Sequence, residues 1–474
     1  MSEILLLHTS DSTREFGGMP PLGLYWIASF LEARGYPVDV IDMQVSHVGL
    51  AEILQSSKPR VVGLSGTTHT RFQLFELAQK IKQYDPAISI IFGGPHATFT
   101  ADDTLTHVPS IDVVVRGEGE FTSLALVDRI LRGLKPHGSI RGISYRQDGR
   151  IVHTPDAARI TDLDALPFPK RPEADMKRYD LKMDFLDVKG SSIITSRGCP
   201  IGCSFCSASI MFGKTVSYRS AVSVVDEIEM LAKDFGFEGI KIFDSTFTLR
   251  KSHVESICRE LLRRRLHVTW ECEVRVNTVT KDLLKLMRQS GCYYVSFGVE
   301  SGSDSVLKEM HKNITTDQAA VVLRWTRELG MKSRVFFTFG HIGETLHDAE
   351  LTFRFMETHR GFIDTVASSV GIRIYPGTAV EMHARAIGSL TKSFSWSLPF
   401  NDSRARTLGS DPAVPILTQQ QLGWDELKAL ERRLVWFWMK DLKSSLRELK
   451  SQWELHHGRQ WWGILKGMIS VGGH

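Results

Sequence analysis

Two successive series of short apolar runs, each closed by a turn signal and followed by a helical stretch, constrain the fold of this chain more than any other feature. Strand-like and helix-like periods that alternate in this way build parallel α/β sheets. The first series runs through Leu5 to His8, Val38 to Ile41, Val61 to Ser65, Ile88 to Phe92 and Val113 to Val115, with a Gly/Pro-rich loop (Gly17, Gly18, Pro20, Pro21) before the first helix. It predicts a doubly wound, Rossmann-like α/β domain over residues 1–138, with its ligand beyond the carboxyl ends of the strands. Residues 139–188 read as a hairpin around Asp148-Gly149 and an ordered linker punctuated by Pro155, Pro167, Pro169 and Pro172. The second series covers residues 189–385, with strands at Ile193 to Thr195, Ile240 to Phe243, Val268 to Cys272, Tyr294 to Val299, Val335 to Phe339 and Val366 to Ile372. Six βα units predict an open (β/α)6 partial TIM barrel.

Residues 386–474 form a mostly helical, Trp-rich region. Seven of the ten tryptophans lie there, and Leu427, Leu430, Leu434, Trp438, Leu442, Leu446, Leu449 and Trp453 recur at helical spacing, which predicts one long amphipathic helix. The 474 residues exceed what one core serves, so two or three domains are expected. A net charge of +4, dispersed along the chain, argues against a nucleic-acid-coating surface. No leader pattern and no apolar run long enough to span a bilayer is present, so a cytoplasmic protein is expected. Six cysteines are too few for a disulfide scaffold, and three of them crowd together, as suits a metal in a reducing compartment.

That trio is Cys199, Cys203 and Cys206, within Arg197-Gly-Cys-Pro-Ile-Gly-Cys-Ser-Phe205-Cys206, directly after a predicted strand. Thiolates are the soft ligands an iron–sulfur cube takes, and three of them leave one iron open. Gly198, Pro200 and Gly202 let the loop curl. A structural zinc would want a fourth nearby Cys or His, and none has the spacing: Cys258, Cys272 and Cys292 fall in helix or strand patterns.

The triplet resembles the CxxxCxφC signature of the radical S-adenosylmethionine enzymes, with Phe205 as the aromatic φ. The resemblance implies a [4Fe–4S] cluster on the three cysteines, S-adenosylmethionine on the open iron, and a 5′-deoxyadenosyl radical. Other segments match the family in order. Asp244 ends the second barrel strand, Glu300 and Ser301 the fourth, Gly340 the turn after the fifth (His-Ile replacing the usual Leu-Pro), and Tyr375 the sixth. In relatives these places contact the cofactor. Asp244 and Glu300 read equally as solvated carboxylates. Arg275 reads either as a fork for the cofactor carboxylate or as a partner of Glu273 or Asp244.

The first domain resembles the cobalamin-binding subgroup of that family. It lacks G-x-G-x-x-G and the P-loop, yet carries Gly63 and Ser65 at the third strand end, Gly93-Gly94 after the fourth and Gly117-Glu118-Gly119 after the fifth. Glycines there let a corrin lie against backbone. The D-x-H-x-x-G sequence that places a histidine on cobalt is absent. In relatives that lack it the loop after the third strand covers the lower cobalt face, and the resemblance assigns that place here to Gly66 to Arg71, with Thr68 and His69; His69 is either a ligand or an exposed helix-start histidine.

Taken together these features predict a cobalamin-dependent radical methyltransferase acting on an unactivated carbon, or phosphorus, of a small-molecule or lipid-like intermediate, fed by an external low-potential electron donor. Its rivals are a radical cyclisation or rearrangement with the same cofactors, and a cobalamin-binding sensor with a dead barrel. The terminal helix reads either as packing against the barrel, with Lys440, Lys443, Arg447 and Lys450 as its wet face, or as a peripheral membrane contact ahead of Trp461-Trp462. Cys292 reads as a catalytic thiol or a buried strand-entry cysteine. A monomer or weak dimer is expected.

Overall fold

A computed structural model describes residues 2–9, 20–179 and 182–439. The first series folds as β1 (Ile4–His8), β2 (Val38–Asp42), β3 (Val61–Ser65), β4 (Ser89–Gly93) and β5 (Val113–Val115), parallel throughout, in the order β2-β1-β3-β4-β5. Strand periodicity divides its side chains cleanly: Ile4 and Leu6 pack on one face with the helix Leu22–Glu32, Leu5 and Leu7 on the other with the helix Arg71–Tyr84. The hairpin around Asp148-Gly149 continues this sheet, with β6 (Ile143–Gln147) antiparallel to β5 and β7 (Arg150–His153) antiparallel to β6. Parallel strands need long crossovers, whereas a two-residue turn allows only the antiparallel return.

The second series gives β8 (Gly190–Ile193), a two-stranded ribbon of β9 (Ser196–Arg197) and β10 (Ser217–Tyr218), then β11 (Gly239–Ile242), β12 (Thr269–Val274), β13 (Cys292–Glu300), β14 (Lys332–Phe339) and β15 (Thr365–Val370). The six long strands pair in parallel in the order β15-β14-β13-β12-β11-β8, the open sheet expected for a (β/α)6 unit. Cys272 and Cys292 are buried in β12 and β13, Cys258 in the helix Lys251–Arg264, and the Cys292 thiol faces the Tyr294 carbonyl.

The linker is structural. Ile160, Leu163 and Leu166 pack on Leu22, Trp26 and Phe30 of the first domain. At the other end Asp184 meets Arg334 at 3.0 Å, and Phe185 packs edge-on against Tyr294. After β15 the chain doubles back, so that Leu417 donates its amide to the Ile372 carbonyl and Ile374 to that of Pro415. The helix Trp424–Met439 follows and packs over β15, burying Leu427, Leu430 and Leu434. Lys440 and the rest of the predicted terminal helix, through Trp453 and Trp461-Trp462, lie outside the described residues. No described helix is long and apolar enough to cross a membrane.

Candidate cofactor site at the domain junction

The cysteine loop begins where β8 ends, and its entry is held by one carboxylate. Asp244, following β11, accepts at Oδ1 from the amides of Thr195 (2.6 Å) and Ser196 (3.2 Å), and at Oδ2 from both hydroxyls (2.6 Å each). Burial raises its pKa and these donors only partly offset it, leaving it above the usual carboxylate value. Gly198 then turns with φ +115°, and a Cβ on it would sit 2.5 Å from the Thr215 carbonyl oxygen, so no side chain fits.

Beyond that turn Cys199, Cys203 and Cys206 are free and half-buried. Burial pushes the Cys206 thiol up, and Cys203 and Cys199 add to the rise, so the three sulfurs share one field. Among the described residues no three Cys, His, Asp or Glu side chains close round a single ion. A cubane takes one thiolate on each of three separate irons, so this donor set suits a cluster, with the cationic neighbours a thiolate set needs. Arg275 Nη1 lies 3.8 Å from the Cys203 sulfur, and its Nη2 donates to the Lys312 carbonyl. Lys312 pairs with Glu300 at 2.7 Å, with its ammonium 5.7 Å from the Phe205 ring. A Cβ on Gly298 would stand 2.6 Å from the Glu300 carboxylate and 2.9 Å from the Lys312 ammonium, so a side chain there would displace that pair.

The turn after β14 closes the other side. His341 packs edge-on against Phe205 at 5.6 Å; burial, helped by the Lys312 charge, pushes its pKa down to about 3. Glu344 accepts the amides of Gly340 (2.6 Å) and His341 (2.9 Å), and burial lifts its pKa to about 7.

Above the loop a cavity with about 1390 Å³ of atom-free space, its mouth included, opens between the domains. One wall carries Gly63, Ser65, Gly93, Gly94, Gly117, Glu118 and Gly119 from the strand ends of the first sheet and Gly23 from the helix Leu22–Glu32; the barrel contributes Ile194, Ser196, Arg197, Phe243 and Ser245. Two of the glycines are needed by the chain itself. A Cβ at Gly63 would strike the Leu6 side chain at 2.5 Å, and Gly94, at φ +93°, is closed in by Ser65 and Gly66. A broad, glycine-walled cavity at a sheet's carboxyl edge suits a flat macrocycle such as a corrin.

Several expected residues sit elsewhere. His69 is neither exposed nor on the cavity wall: it is 3% exposed, with Nδ1 2.9 Å from Asp411 Oδ2 and Nε2 3.0 Å from the Tyr375 hydroxyl. Thr68 is buried against His96. Asp244 and Glu300 are buried rather than solvated, and Ser301 bonds to Thr352 and the Ser303 amide. Arg275 meets Cys203, Lys312 and Asn277 rather than Glu273 or Asp244. The structure adds Arg197, Glu120 and Lys312 to the site: Arg197 abuts the cysteine motif, a signal the sequence offers, whereas Lys312 carries no local signal.

A radical SAM family model matches residues 193–356, and a B12-binding domain model matches residues 16–127. An uncharacterized methyltransferase, PH0819, from Pyrococcus horikoshii is 33% identical over 380 residues, which span 80% of this chain and 81% of that protein. The anaerobic magnesium-protoporphyrin IX monomethyl ester cyclase of Rubrivivax gelatinosus is 30% identical over 74% of this chain and 65% of its own length. Among solved structures, the cobalamin-dependent S-adenosylmethionine radical enzyme OxsB superposes over 99% of this chain and 71% of its own, with TM-score 0.74 at 18% identity, a likeness of fold. With both domain models, a thiol trio that suits a cubane and a cavity that suits a corrin, the chain belongs to the cobalamin-binding radical S-adenosylmethionine enzymes, whose cofactors are a [4Fe–4S] cluster, S-adenosylmethionine and cobalamin.

Proposed function

We propose that the protein is a methyltransferase that moves a methyl group from S-adenosylmethionine to an unactivated carbon, or phosphorus, of a small-molecule or lipid-like biosynthetic intermediate. The observation that carries the reading is the shared cavity, walled by the glycine-rich strand ends of one domain and by residues flanking the cysteine loop of the other. When bound, the cluster and S-adenosylmethionine supply a hydrogen-abstracting adenosyl radical, and cobalamin supplies the methyl group. The chain's own residues hold and orient. Cys199, Cys203 and Cys206 ligate; Arg275 and Lys312 set positive charge beside the sulfurs and the Glu300 carboxylate. Phe205 and His341 pack edge-on beside the loop. Glu300 and Ser301 at the end of β13, Gly340 beyond β14 and Tyr375 beyond β15 are proposed contacts of S-adenosylmethionine, and the glycines with Ser65 of cobalamin, while the Glu118 carboxylate is taken by Arg197 and the Ile160 amide. A low-potential donor supplies electrons from outside.

A second reading keeps every one of these roles and changes the outcome to an oxidative cyclisation, favoured by the 30% identity to a named cyclase. S-Adenosylmethionine carrying a deuterated methyl group separates the two. The reconstituted protein is incubated with hydroxocobalamin, titanium(III) citrate and a panel of indole, phosphonate, isoprenoid and tetrapyrrole substrates. Labelled methyl in a product supports methyl transfer, and an unlabelled product lighter by two hydrogens supports cyclisation.

A further inference from the structure

Between the cavity and the cysteine loop stands one buried ion-pair network. Arg197, in β9 and two residues before Cys199, donates Nη1 to Glu118 Oε1 at 3.0 Å and Nη2 to Glu120 Oε1 at 2.7 Å. Glu118 belongs to the turn after β5, where Gly117 takes φ +75°, and Glu120 opens the helix Glu120–Leu131 that follows. Glu118 Oε2 accepts the Ile160 amide at 2.9 Å and lies 3.4 Å from Arg159 Nε, while Arg159 Nη2 donates to the Arg197 carbonyl at 3.3 Å. The Arg197 guanidinium lies over the Trp26 ring at 4.8 Å. Two arginines and two glutamates balance, and the Arg197, Glu118 and Glu120 side chains are no more than 9% exposed. Burial would lower the Arg197 pKa, but the two carboxylates outweigh it and raise it.

The placement matters more than the pairing. Trp26, Glu118, Glu120 and Arg197 all line the cavity. On the barrel side, Asp244 fixes the two residues before Arg197, and Gly198 admits one turn only. The backbone leading to Cys199 is therefore gripped from both domains at consecutive residues. A guanidinium fork on two carboxylates fixes angle as well as distance, which a lysine ammonium does not.

We propose that Arg197 is a positioning residue: its fork on Glu118 and Glu120 sets the separation between cobalamin in the cavity and the cluster on Cys199, Cys203 and Cys206, and couples occupancy of the two sites. The inference rests on the placing of cobalamin in that cavity, which the first step of the test checks separately. Full-length protein is reconstituted with cluster and hydroxocobalamin, retention of both is read by absorbance and iron content, and the material is reduced. Pulsed electron paramagnetic resonance then reads the dipolar coupling between Co(II) and the reduced cluster. The unaltered protein gives one narrow distance. Arg197→Lys and the Glu118→Gln/Glu120→Gln pair retain both cofactors but broaden that distance by about 1 Å. In the unaltered protein, cluster loading also changes cobalamin affinity by at least about fivefold, and the variants lose that dependence. Arg197→Lys distances as narrow as those of the unaltered protein, with affinity still cluster-dependent, overturn the bridge alone. Unaltered protein that retains the cluster but no cobalamin overturns the placement and the bridge with it.

Discussion

Asp244 offers the sharpest test of what a buried carboxylate does beside the cysteine loop. Its two oxygens divide their work: Oδ1 takes the backbone amides of Thr195 and Ser196, and Oδ2 takes their hydroxyls. Asp244→Ala orphans two buried amides at about 1–3 kcal/mol each, while the hydroxyls can turn elsewhere; Thr195 Oγ1 already lies 3.0 Å from His253 Nε2. Removing a carboxylate whose raised pKa marks a desolvation cost returns part of that loss. The net expectation is a destabilisation of about 3 kcal/mol, with iron loading reduced because the loop entry is no longer held. Asp244→Asn is a different perturbation. Its carbonyl keeps both amide bonds, its NH2 faces two hydroxyls able to accept, and the cost falls to less than about 1 kcal/mol. Urea titration by circular dichroism gives the stabilities, and iron and S-adenosylmethionine binding are measured on the same preparations. If Asp244→Asn loses S-adenosylmethionine binding as fully as Asp244→Ala at unchanged stability, the carboxylate charge serves the cofactor directly and the reasoning fails.

Further tests address the remaining contacts. Gly198→Ala forces a Cβ against the Thr215 carbonyl at a positive φ; about 1–3 kcal/mol of strain should appear as loss of iron from the reconstituted protein, and normal iron content would count against the crowding. Glu344 has its folded pKa raised to about 7 from 4.5, so its neutral form is the one the fold favours. The native state then holds more protons than the unfolded chain, so this group's contribution is intact below about pH 4.5 and is lost as pH rises to about 7. Glu344→Gln should flatten that fall in denaturation midpoint between pH 4.5 and 7, and an unchanged slope would show the carboxyl to be ionised throughout. Lys312→Met leaves Glu300 buried without its partner and should cost about 3 kcal/mol, with Glu300→Gln in the same chain recovering part of it; strict additivity in a thermal double-mutant cycle would show that the 2.7 Å pair is not coupled.

The amino-acid order by itself determined the elements and the chemistry. Apolar runs such as Val61–Ser65 and Val113–Val115 appear as strands with those bounds, because a buried strand is written in consecutive residues. The cysteine trio and the glycines at strand ends were legible for the same reason: their spacing is a property of a short peptide. What only the tertiary structure decided is where charges find their partners. Glu118 looked like a cofactor contact and His69 like a cobalt ligand or a surface group. The fold hands Glu118 to Arg197, 79 residues away, and His69 to Asp411, 342 residues away. Such pairs form between segments far apart in the chain, across separations that no sequence periodicity spans, and burial makes them specific: a charge that leaves water must find a partner at contact distance. The chain announces a thiol trio and a sheet edge; the packing of the two sheets sets residues that flank the trio against that edge around one cavity.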